Sequence, residues 1–113
     1  MEKRRHQRIT VDSLFADVSD GRGFFSGTVT DLSRFGLCMT DLPAKLDHTS
    51  QRLSIVISGH GRNFKMLVKP CWVKTATGRK CVGVEIMNTP WAWTEFVIEF
   101  EPQPVDVWGD TTA

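Results

Sequence analysis

Leu53, Ile55 and Ile57 stand at alternate positions of the run Leu53-Ser54-Ile55-Val56-Ile57-Ser58. A period of two places those side chains on one face of a strand. The same period recurs twice. Phe64, Met66 and Val68 alternate with Lys65, Leu67 and Lys69, and Val82, Val84 and Ile86 alternate with Gly83, Glu85 and Met87. Earlier in the chain, residues 9–19 and 24–30 are rich in β-branched and aromatic residues, and Leu37-Cys38-Met39 opens another run. Asp20-Gly21-Arg22-Gly23, Gly59-His60-Gly61 and Thr77-Gly78-Arg79 punctuate these runs with turn chemistry. Short strands joined by glycine turns predict an antiparallel barrel or sandwich, and full closure removes adhesive strand edges.

Three features break the regularity. Pro70 cannot donate to a ladder, so an edge, bulge or bend is expected there before Trp72-Val73 resumes the strand. Residues 41–51 contain Pro43 and little apolar material, and they read as a longer connection with room for one helical turn. Near the end the period changes. Trp93, Phe96, Val97 and Phe100 follow the i, i+3, i+4, i+7 rule of an amphipathic helix. Thr89 suits its N-cap and Pro90 its first position, while Pro102 and Pro104 stop it. The predicted organisation is a basic arm over 1–8, a barrel with its helix over 9–101, and a loose acidic tail over 102–113 in which Trp108 is an apolar exception.

A chain of 113 residues can bury a core without disulfides or metal. Its formal net charge of +1 argues against non-specific binding to long nucleic acid. Cys38, Cys71 and Cys81 are odd in number and show no CxxC spacing, so they read as reduced thiols in a cytoplasmic protein rather than disulfides or metal ligands. No apolar run approaches the ~20 residues that span a bilayer, and the charged start is not a signal peptide.

Charge is unevenly placed, and the unevenness defines two motifs. Arg4, Arg5 and Arg8 precede the first strand, with Arg4 and Arg8 spaced as RxxxR. Guanidinium is planar and permanently charged, so it grips phosphate or the O6/N7 edge of guanine with two parallel hydrogen bonds. Asp31, Ser33 and Gly36 form DxSxxG in the turn predicted over 31–36. A carboxylate can accept from the N–H groups on the other edge of guanine, a serine hydroxyl can donate to phosphate, and glycine permits a positive φ or close ligand approach. Taken singly, each motif also reads blandly, as a solvated tail and an ordinary loop. Together they supply complementary chemistry for guanine and phosphate on either side of one predicted hairpin.

That order of motifs resembles the PilZ domains, bacterial receptors for cyclic di-GMP. The run Gly83-Val84-Glu85-Ile86 and the strand aromatic Trp72 match the same pattern, and the resemblance covers roughly residues 3–100. It implies an all-β fold, a six-stranded antiparallel barrel with a C-terminal α-helix. It also implies Arg4 and Arg8 on phosphates and guanine Hoogsteen edges with Arg5 assisting, Asp31 on a guanine Watson–Crick edge, Ser33 on phosphate, and Gly36 allowing close backbone approach. Arg34 and Trp72 are secondary candidates. Arg34 either adds charge or points to solvent, and Trp72 either stacks on a base or packs in the barrel. No cofactor is implied beyond the ligand itself. Output is expected through a downstream protein, with the arm ordering on binding.

Two other readings compete. An adaptor with this fold that ignores the nucleotide would serve motility or pilus machinery, but such proteins usually lack the arginine motif. A small-barrel nucleic-acid binder would display aromatics between basic residues, and Trp72 near Lys69 and Lys74 is the only hint. An enzyme is not expected, because His6, His48 and His60 have no recognisable nucleophile partner.

Overall fold

The computed structural model describes residues 8–47, 49 and 51–101. Arg4, Arg5, His6, His48 and the tail 102–113, with the expectations attached to them, lie outside the described residues. Seven strands run in chain order: β1 (Ile9–Thr10), β2 (Phe15–Ser19), β3 (Phe24–Ser33), β4 (Gly36–Pro43), β5 (Leu53–Gly59), β6 (Arg62–Ala76) and β7 (Arg79–Met87), followed by helix α1 (Trp91–Phe100). All pairings are antiparallel. The order β3-β2-β5-β6-β7-β4 returns to β3 through the β3–β4 pair, which closes a six-stranded barrel. The short β1 adds to β3 outside that ring, with Ile9 opposite Leu32 and Thr10 opposite Asp31.

The alternating residues behave as their period predicts. Leu53, Ile55, Ile57, Phe64, Met66, Val68, Val82, Val84 and Ile86 all enter the core. Burial of each such side chain contributes about 1.5–3 kcal/mol before its entropy cost. Helix α1 closes one end of the barrel. Trp93, Phe96 and Val97 are buried, and Phe64 meets the Trp93 ring at 5.3 Å and the Phe96 ring at 4.9 Å. His60, in the β5–β6 turn, packs edge-on against Phe100 at 5.5 Å and bonds through Nε2 to the carbonyl of Asp12.

Four local expectations are corrected. The run 9–19 is not one strand, because it breaks at Ser13, where φ is 59°. The break lets the chain step around Gly59, where any Cβ would collide with the Ser13 carbonyl. The strand expected over 24–30 continues to Ser33, so the turn shrinks to Arg34 and Phe35, because Leu32 is a core residue that keeps the strand paired on both sides. Residues 41–43 belong to β4 and no helical turn follows them among the described residues; Leu46 instead donates its N–H to the Pro43 carbonyl at 3.1 Å. Finally, α1 begins at Trp91. Pro90 is extended (φ −67°, ψ 144°) and becomes the N-cap, no side chain caps the helix, and Trp93 and Thr94 donate their N–H groups to the Pro90 carbonyl.

At the end of the barrel opposite the helix, Lys80 is buried and its ammonium donates to the Leu46 carbonyl. Asp20 ties the β2–β3 turn to the 43–53 connection. Its Oδ2 accepts from the N–H of Asp47 at 2.9 Å, and its Oδ1 from Arg22 and Gly23 at 2.8 and 2.9 Å. These bonds, the one from Asp47 foremost, hold its carboxyl below the ordinary value of 3.8. A carboxyl depressed by folding stabilises the fold above its unfolded pKa, and that stability is lost as pH falls through the folded value. Asp20→Asn is therefore expected to unfold at lower urea concentration than the wild type at pH 7, with the difference closing as pH drops below 3.8. Paired urea titrations across pH 2.5–7 check it; a difference independent of pH would exclude the carboxylate as its source.

Candidate functional site

Two β-bulges aim the candidate residues. In β3, Val29 faces Met39 and Asp31 faces Cys38, so Thr30 is an extra residue. Val29 and Leu32 are core residues, and the insertion turns Asp31 to the outer wall of the barrel. In β6, Pro70 faces Val84 and Trp72 faces Gly83, so Cys71 is extra. The parity of β6 flips there. Phe64, Met66 and Val68 point inward, whereas beyond the bulge Val73 packs inward and Trp72 turns outward. The bulge expected at Pro70 is present, and its consequence is to expose an aromatic ring.

The cross-strand partners then line up. Thr10, Asp31, Cys38, Gly83 and Trp72 lie side by side across β1, β3, β4, β7 and β6. Trp72 lies over Gly83 with 39% of its surface exposed, and a Cβ at Gly83 would strike its indole. Cys38, within this row, is buried, and burial pushes its thiol up; the Thr30 hydroxyl lowers it, the Asp31 carboxylate raises it and the Arg8 guanidinium draws it down. Arg8 is exposed and immediately precedes β1, and one further step of the β1–β3 register places it opposite Ser33. Asp31 Oδ1 is buried and has no hydrogen-bond partner among the described residues. An acceptor left bare in this way costs about 1–3 kcal/mol, more for a charged group.

The hairpin at Arg34–Phe35 is held from three sides. The Trp93 indole donates to the Ser33 carbonyl at 3.1 Å, Ile86 donates its N–H to the Phe35 carbonyl at 2.8 Å, and Arg34 grips Glu101 with two bonds of 2.8 Å. Arg34 therefore reaches the end of α1 while staying partly exposed, and the Glu101 bond raises its pKa further. Ser33 Oγ donates to the Gly36 carbonyl at 3.4 Å. Gly36 does not adopt a positive φ among the described residues. Its lack of a side chain serves close packing instead, since a Cβ would lie 2.8 Å from the Val84 carbonyl of β7.

The structure thus brings Arg8, Asp31, Ser33 and Trp72 to one face, keeps Gly36 under it as a packing residue, and turns Arg34 toward Glu101. Sequence reasoning gave no role at the site to Cys38, Gly83, Trp93 or Glu101. Only Gly83, small within an apolar strand run, carried a local signal. Among the described residues no group of His, Cys, Asp and Glu could hold a metal ion, and no helix is long and apolar enough to cross a membrane.

The model of the PilZ domain family matches residues 2–90. The chain belongs to the PilZ domain family. Solved structures agree on the fold. The Bacillus subtilis inhibitor of motility MotI/DgrA superposes with a TM-score of 0.71 at 12% identity, covering 88% of this chain and 49% of that one. YcgR from Escherichia coli in complex with c-di-GMP gives 0.69 at 16% identity, covering 87% and 44%. The PilZ domain of YcgR with c-di-GMP gives 0.68 at 15% identity, covering 88% and 92%. This PilZ domain therefore spans about half or less of the first two chains and nearly all of the isolated domain. No curated protein sequence matches it.

The two glycines predict different outcomes. Gly36→Ala pushes against backbone and is expected to cost about 1–3 kcal/mol of stability. Gly83→Ala pushes only against the edge of a partly exposed ring, so it should alter the near-ultraviolet circular dichroism while stability falls less. Urea unfolding of both variants checks the order; equal losses would mean that Trp72 cannot move off Gly83.

Proposed function

We propose that this PilZ domain is a receptor for cyclic di-GMP that binds the dinucleotide on the outer wall between the N-terminal arginines and the DxSxxG hairpin. The observation that carries the reading is the buried Oδ1 of Asp31, without a hydrogen-bond partner among the described residues, on the strand that pairs with β1, which Arg8 immediately precedes. A guanine Watson–Crick edge offers two N–H donors to such a carboxylate. Arg8, with Arg4 and Arg5, takes phosphate and the Hoogsteen edge, and Ser33 Oγ donates to phosphate. The exposed face of the Trp72 indole gives a base a stacking surface, worth about 1–3 kcal/mol per base. Arg34 spends its Nε and Nη2 on Glu101, which leaves Nη1 to face a ligand. Cyclic di-GMP is in the complexes of YcgR that share the fold, and the family match supplies the same class of ligand.

The proposed output rests on residues 1–8. Their composition offers no apolar face to pack, so ligand provides the contacts that order them and present a new surface to a downstream protein. Bidentate arginine–guanine pairs and charge-assisted phosphate bonds supply those contacts. Affinity near micromolar, about −8 kcal/mol, suits a reversible sensor.

Calorimetric titration of cyclic di-GMP, with GTP as control, tests the receptor reading. Micromolar binding by the wild type is expected, with loss to below detection in Arg8→Ala and in Asp31→Ala. No binding by the folded wild type would overturn the reading and favour the adaptor. Amide exchange tests the arm separately. Protection of residues 3–8 at saturating ligand is expected, and unchanged exchange would remove the ordering step.

A further inference from the structure

The row that ends at Trp72 continues along the barrel wall toward the β6–β7 hairpin tip. Lys74 is the next outward residue of β6, two positions or about 6.6 Å beyond Trp72. It pairs with Cys81 of β7, whose thiol donates to the Thr40 hydroxyl of β4 at 3.1 Å. These three residues form a second lane beside Asp31, Cys38, Gly83 and Trp72. They also line a cavity of about 460 Å³ together with Asp41, Thr77 and Arg79. That volume lies within the ~300–1,000 Å³ common for small-molecule sites.

The rim of the cavity is tied across the hairpin tip. Thr77 and Gly78 hold positive φ values of 42° and 79° in a two-residue turn, Ala44 donates its N–H to the Gly78 carbonyl, and Arg79 donates to the Asp41 carbonyl at 2.9 Å. The positive groups are not equivalent. Arg79 is committed to Asp41 and Lys80 to Leu46, whereas Lys74 is exposed and has no ion-pair or hydrogen-bond partner among the described residues. An uncommitted lysine therefore stands on the same outer face as Trp72, two positions along β6, and lines a cavity that also holds the Thr40, Thr75 and Thr77 hydroxyls.

A cyclic dinucleotide carries two phosphates and two bases, and the arm and hairpin lie at only one end of the wall. We infer that Lys74 is a further ligand residue, binding the phosphate remote from Arg8, with the adjoining cavity receiving the second guanine. This inference rests on the receptor reading above. It makes Trp72 the midpoint of the site and the β6–β7 hairpin its far wall.

The test is titration of cyclic di-GMP at low and high salt into the wild type, Lys74→Gln, Lys74→Arg and Arg8→Ala. Lys74→Gln should weaken binding about tenfold through loss of one charge-assisted bond, and should flatten the decline of affinity with salt. Lys74→Arg should restore most of the affinity. Because Lys74 is exposed, its variants should melt with the wild type. Wild-type affinity and salt dependence in Lys74→Gln, with binding still abolished by Arg8→Ala, would overturn the role of Lys74 and leave the receptor reading intact. No binding by the wild type would overturn both.

Discussion

Two extra residues, Thr30 and Cys71, decide which way the wall of this barrel faces. Without the insertion in β6, the parity that sends Phe64, Met66 and Val68 inward would send Trp72 into a core already filled by α1. Without the insertion in β3, Asp31 would share the inward phase of Val29, and a carboxylate would be buried among aliphatic side chains. Either outcome is prohibitive, since an unpaired charge in an apolar core costs far more than a bulge. The bulges place both groups on the outer wall at matching heights, with Cys38 and Gly83 between them. Everything proposed about ligand follows from that alignment.

The helix supplies the second constraint. By filling one end of the barrel, α1 denies a ligand the mouth of the barrel, where many barrels bind. It also fixes the hairpin that carries Ser33, through Trp93 on the Ser33 carbonyl and Glu101 on Arg34. The Arg34–Glu101 pair is partly open to water, so it adds little to stability. Its effect is geometric, because it turns the one cation inside the hairpin away from the row that ends at Trp72. A ligand anion at Ser33 would compete with Glu101 for that guanidinium, and so bear directly on the end of α1.

Much of this was legible in the sequence, and the exceptions share a cause. Period-two runs such as Leu53–Ile57 and the 93-96-97-100 pattern report on local burial, and they identified strands, helix and barrel. Asp31 and Ser33 were legible as chemistry. The break at Ser13 was only faintly legible: Asp12-Ser13 is turn-prone, but apolar strand formers flank it, and the groups that meet the break, Gly59 and His60, lie far along the chain. The carbonyl that a Cβ at Gly36 would meet is on β7, and the partner of Arg34 is 67 residues away. The outward aim of Trp72 was half legible. Pro70 announced a bulge, but which residue would be extra, and hence which face the indole would take, depends on pairing with Gly83 that no local pattern encodes.

A binding face on the outside of a closed barrel has an intrinsic weakness. Such a wall is convex, whereas small ligands are held in concave sites that cover most of their surface. Affinity at Asp31 and Trp72 therefore requires a second wall, and β1 shows where one attaches. Ile9 and Thr10 are already paired with Leu32 and Asp31, so Arg8 starts beside Ser33 without paying for long-range positioning. A two-residue strand is too short to add much stability, yet it is long enough to set the register of what precedes it. On the proposed reading, β1 is the anchor that ties the N-terminal arginines to the hairpin carrying Asp31 and Ser33.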